Sequence, residues 1–71
     1  MNTSPPYPRY PDVHVQLSGL DGNAFSILGR VSKALRDARV PRAELDQFRV
    51  EATSSDYDNL LATAMRWVDC S

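Results

Sequence analysis

The chain has 71 residues, nine acidic side chains against eight basic ones, and a formal net charge of −1. That length holds one domain at most, and the near-neutral charge argues against a nucleic-acid binder held wholly by electrostatics. A single cysteine, Cys70, and a single histidine, His14, exclude an internal disulfide and a Cys/His metal cluster.

Four of the five prolines fall in the first eleven residues, so the core must come from residues 12–71. A domain of about sixty residues buries only roughly 60% of its unfolded surface. Good packing, self-association or a partner must therefore supply the stability that no staple provides. No apolar run approaches the length of about eighteen residues that a membrane span needs. No basic segment followed by an apolar run opens the chain, so no signal peptide is expected. With the unpaired thiol, these features favour a reducing cytoplasm as the expected location.

Residues 1–11, MNTSPPYPRYP, predict a disordered proline-rich arm with polyproline II bias. The Pro5/Pro8 and Pro8/Pro11 spacings fit P-x-x-P, a pattern short enough to match by accident, and a solvated tail is the simpler reading. Residues 12–71 are then one compact domain. Val13, Val15 and Leu17 alternate with His14, Gln16 and Ser18, which predicts a half-buried strand with His14 on its polar face. Gly19 to Asn23 forms a strand-to-helix turn in which Asp21 or Asn23 caps the helix.

From Ala24 the period changes to that of a helix. Ala24, Ile27, Leu28, Val31, Ala34, Leu35 and Ala38 share one stripe, with Phe25 beside it. Gly29 inside this helix suggests close approach of another backbone. Pro41 stops the helix near Arg39 and starts a second as its first residue. Leu45, Phe48 and Ala52 give that second helix a narrow seam. Ser55 followed by Asp58 resembles a capping box for a third helix, with Tyr57, Leu60, Leu61, Ala64, Met65 and Val68 on one face and Trp67 toward its edge. Residues Arg66 to Cys70 either prolong this helix or form a short strand. The second option gives the first strand a partner, since a lone strand leaves its backbone groups unpaired. The expected fold is α+β and mostly helical: one strand, three short helices, and a C-terminal strand left open.

Few groups point to chemistry. Nucleophilic catalysis needs a base beside the nucleophile, and nothing in the sequence joins His14 to Cys70. Asp56 and Asp58 open a helix, where carboxylates serve as caps and dipole partners. Gly19-Leu20-Asp21-Gly22 matches G-x-x-G, yet its aspartate repels phosphate and the Walker lysine is missing. The chain is therefore expected not to be an enzyme and to use no cofactor.

Charge layout is more informative. Residues 30–42 carry Arg30, Lys33, Arg36, Arg39 and Arg42 against Asp37, five minus one giving +4, whereas residues 43–71 carry two arginines against six acids, giving −4. A period of three drifts around a helix, so the basic residues form an oblique band. They are candidate contacts for a partner or for nucleic acid, and Trp67 is a candidate protein contact. A strand followed by helices also parallels ribbon-helix-helix repressors, but this strand has no arginine or lysine and the third helix is surplus.

The segments Leu20-Asp21-Gly22-Asn23-Ala24-Phe25, Ile27-Leu28-Gly29, Asp56-Tyr57-Asp58-Asn59-Leu60-Leu61 and Met65-Arg66-Trp67-Val68 resemble a group of small uncharacterised bacterial and phage proteins. The D-G-N-A-F segment is the most specific of these, and Ser55 stands where that group usually has glycine. The resemblance implies a compact module carried by phages or mobile elements. It attaches no activity and hence no functional residue. The expected function is a non-enzymatic accessory module that binds an unknown protein partner or a second copy of itself. The alternative is a small nucleic-acid-binding regulator using the basic band on the first helix.

Overall fold

The alternation around Val15 does form a strand, but the strand starts earlier than the apolar pattern indicates. In the computed structural model, which describes residues 8–19 and 22–71, β1 runs over Tyr10–Val15. Tyr10 and Pro11, assigned above to the arm, belong to β1, because Tyr10 pairs with Val68 and its ring packs on Trp67. Pro11 has no N–H to give a ladder, and the register is irregular between Tyr10 and His14, where the defect is absorbed. Met1 to Tyr7, which hold most of the expected arm, and Asp21, one of the two candidate caps, lie outside the described residues.

Helix α1 spans Ala24–Asp37, and Asn23 is its cap: the side-chain oxygen accepts a 2.7 Å hydrogen bond from the Phe25 N–H. Ile27, Val31 and Leu35, each four apart, are its buried positions. The helix ends in a Schellman motif. The Val40 N–H donates to the Leu35 carbonyl at 3.1 Å and the Arg39 N–H to the Arg36 carbonyl at 2.9 Å. Arg39 takes the left-handed conformation, φ 65°, where glycine is usual. Leu35 and Val40, the two residues such a motif brings into apolar contact, are both buried.

Pro41 sits at the N-cap of α2 (Arg42–Ala52), which starts one residue later than expected, and its carbonyl accepts from the Glu44 and Leu45 N–H groups. Helix α3 covers Tyr57–Trp67. Its cap is Asp56, whose carboxylate accepts from the Asn59 N–H at 2.9 Å, and not Ser55. The carboxylate satisfies the same orphan donor while also facing the positive end of the helix dipole. Met65, placed on the apolar face above, is 57% exposed. Thr63, absent from that face in the sequence reading, is buried, and its hydroxyl accepts from an Arg66 guanidinium nitrogen at 3.1 Å.

After Trp67 the chain turns extended, and β2, Val68–Cys70, pairs with β1 in parallel. Parallel neighbours need a long crossover, and the three helices are that crossover. They cover one face of the two-stranded sheet, so that Val15, Val31, Leu35, Phe48, Ala64, Trp67 and Val68 meet in one core. The opposite face carries His14 beside Asp69, with Nδ1 and Oδ2 2.7 Å apart. Among the described residues no helix is long and apolar enough to cross a membrane.

Candidate protein-contact groove

The site is built on the side of β1 that faces away from β2. The Ser71 N–H donates to the Val15 carbonyl at 3.0 Å, and the Leu17 N–H donates to the Ser71 carbonyl at 2.8 Å. Val15 and Leu17 therefore turn their main-chain groups toward β2. Because successive residues of an extended chain alternate in direction, His14 and Gln16 aim theirs at the free edge.

Along that edge runs an open groove of about 710 Å³, with His14, Val15 and Gln16 on one wall and the α1 residues from Phe25 to Asp37 on the other. A second cleft of about 330 Å³ lies along the other end of β1, between Arg9–Val13 and the turn Ala38–Pro41. Two clefts thus border this flank of β1, one near each end. Gly29 lines the groove, and a β-carbon built on it would meet nothing within 4 Å. No backbone approaches it, contrary to the expectation above. Phe25 stands at the mouth of the groove, 84% exposed, and also lines the apolar cleft toward Tyr57 and Leu60.

The basic residues are divided by the structure. Arg30 and Lys33 line the groove, and Arg39 lines the cleft at its other end. Arg36 is exposed on α1 but borders neither, and Arg42 lies on α2. Two of the five are tied to acids on their own helix: Lys33 Nζ lies 2.8 Å from Asp37 and Arg42 Nε 3.5 Å from Asp46. The hydrogen bond and charge of Lys33 hold the Asp37 carboxyl below the usual carboxylate range. The drift of a three-residue period against 3.6 residues per turn is what separates Arg36 from the groove.

Trp67 is not a surface contact. It is 2% exposed. Tyr10 stacks on it at 6.0 Å between ring centres, Phe48 meets it edge-on at 5.7 Å, and its indole N–H donates to Glu51 Oε1 at 3.0 Å. A tryptophan at the edge of a helical stripe is buried here because β1 and α2 close over that edge.

His14 and Asp69 make a histidine–carboxylate pair, yet their side chains are largely in solvent and no hydrogen bond links His14 to a hydroxyl, thiol or amine among the described residues. Cys70 is half-buried; burial first, and the Asp69 charge second, push its thiol up, away from the reactive thiolate. Among the described residues no group of three or more His, Cys, Asp or Glu side chains could hold a metal ion. Sequence reasoning missed the groove itself. Its one partial signal was Phe25, which stands beside the apolar stripe of α1; the edge of β1 that stays free depends on the pairing with β2. Comparison with protein-family models, with curated proteins and with solved structures found no match to this chain.

Proposed function

We propose that this chain is a non-enzymatic accessory module that binds another protein through the groove between β1 and α1. The observation that carries this reading is the edge of β1 that faces away from β2, bordered by an open groove beside an exposed phenylalanine. An unpaired strand edge is a template for another chain, and an exposed aromatic beside it is the kind of residue that anchors interfaces. The resemblance to small bacterial and phage proteins supplies the proposed origin. Reading the basic band as a nucleic-acid contact has less support, because Lys33 and Arg42 are already paired and Arg36 does not border the groove that Arg30 lines.

The test is site-specific photo-crosslinking in cells, with the probe at Ser26 in the groove and, in parallel, at Asp58 on α3. A stoichiometric protein captured from Ser26 and not from Asp58, and lost in Arg30→Glu, supports the reading. Equal labelling from both positions, or capture of nucleic acid from Ser26, overturns it.

A further inference from the structure

The groove and the cleft beside β1 carry a charge that selects among possible occupants. The residues lining the groove and its adjoining cleft include Arg9, Arg30, Lys33 and Arg39 against Asp12 and Asp37, a surplus of two positive charges. Arg30 and Arg39 have no ion-pair partner among the described residues. One wall of the groove is main chain: the N–H and C=O groups of His14 and Gln16 face the groove, as the direction of the Val15 and Leu17 bonds to Ser71 requires. A helix could meet the charges, but its own main chain is already paired and could not bond to those backbone groups. An extended chain does both.

Resting on the protein-contact reading above, we infer that the groove takes an extended acidic segment of a partner protein, which adds to β1 as the third strand of the sheet. Its main chain bonds to His14 and Gln16. Alternate side chains turn toward α1, where a carboxylate meets the unpaired Arg30 and an apolar residue meets Phe25. A second copy of this chain is a poor occupant. Pairing β1 with its own copy would bring two α1 helices together across the seam, with the unpaired Arg30 of each facing like charge. Pro11 limits the pairing to the part of the strand beyond it, since it offers no N–H.

The full chain, labelled with ¹⁵N, is panned against a random dodecapeptide display library, and the enriched peptides are synthesised. The expected peptides are rich in Asp and Glu, poor in Pro, and alternate these acids with β-branched residues. On binding, the His14 and Gln16 amides become protected from hydrogen exchange while the Val15 amide, already turned to β2, changes little. N-methylation of alternate peptide bonds abolishes binding. Arg30→Glu, an exposed residue whose change leaves the core intact, weakens it about fivefold or more, and Gln16→Pro, which removes an edge N–H, does the same. Enriched peptides that bind in the groove but leave His14 and Gln16 unprotected, or that are basic, overturn strand addition and leave the protein-contact reading standing. Absence of any enriched peptide overturns the inference, and the crosslinking result above then decides the broader reading independently. A doubled mass in solution with protected His14, or protection induced by mixed-sequence DNA alone, likewise overturns it in favour of a second copy or of nucleic acid.

Discussion

The Arg9 guanidinium lies 4.6 Å from the centre of the Trp67 ring, at the point where the chain enters β1. Arg9 Nε is also 3.4 Å from a Glu44 oxygen, and the Tyr10 hydroxyl donates to the same carboxylate. With Tyr10 stacked on Trp67, these contacts tie the start of the strand to both α2 and the end of α3. Two residues that look like part of a proline-rich tail thus close one side of the core.

Arg9→Ala should lower stability by about 1 kcal/mol, the sum of a partly exposed cation–π contact and a weak ion pair. Arg9→Lys should recover only part of this, because the planar guanidinium is what stacks. Trp67 is the only tryptophan, so urea unfolding followed by its fluorescence reports directly. An unchanged midpoint for Arg9→Ala would show that the stack contributes nothing.

Arg39 occupies a left-handed position with φ 65°. Arg39→Gly should raise stability by about 1 kcal/mol, since an L side chain is strained there and glycine is not. Thermal unfolding should shift upward; a lower midpoint would mean that the arginine side chain makes a stabilising contact.

Gly29 lies in the middle of α1 with open space around it, and the buried hydroxyl of Ser32, one turn on, has no hydrogen-bond partner. Gly29→Ala should stabilise by up to about 1 kcal/mol through helix propensity. Ser32→Ala should be neutral or stabilising by a similar amount, about 1 kcal/mol, because it removes an unsatisfied polar atom. Calorimetry of each variant is the measurement, and destabilisation by Gly29→Ala would contradict the open surroundings of that residue.

Two groups set opposite limits of pH stability. The Trp67 indole N–H, then the Gln47 amide, hold the Glu51 carboxyl below the usual range. Its contribution is complete above about pH 4.3, the unfolded glutamate value, and is lost as pH falls through the lower native value. Burial first, and the hydrogen bond to Glu44 second, push the Tyr10 hydroxyl up. Its contribution is complete below about pH 10, the unfolded tyrosine value, and is lost as pH rises through the higher native value. Urea midpoints measured across pH should therefore fall at both ends. Glu51→Gln should flatten part of the acid limb, leaving the share of Asp37, and Tyr10→Phe should flatten part of the alkaline limb, leaving the share of Cys70, whose thiol burial also pushes up.

Alkylation of Cys70 by iodoacetamide at mildly alkaline pH should be slower than that of free cysteine, because only the thiolate reacts. Asp69→Asn should speed it, though not to the free rate, since burial is the larger cause of the raised thiol. A rate unaffected by Asp69→Asn would remove the charge from that account.

Most of the fold was legible where periodicity and punctuation agree. Ile27, Val31 and Leu35 announce α1, Pro41 separates it from α2, and Phe48 with Ala52 marks the buried side of the second helix. The groove was not legible, because it depends on which edge of β1 the C-terminal segment takes, and no local pattern contains that choice.

Local order follows from local chemistry. Backbone geometry and side-chain spacing act within a few residues, and so the sequence by itself determined the three helices, the strand around Val15 and the turns between them. Tertiary structure alone decided that Val68–Cys70 lies parallel to β1, that Trp67 is interior with Tyr10 half-buried against it, and that Arg30 and Lys33 line the groove beside β1 while Arg36 does not. Each of these joins residues far apart in the chain, and such contacts form only when the helices bury their stripes together and leave one flank of β1 uncovered.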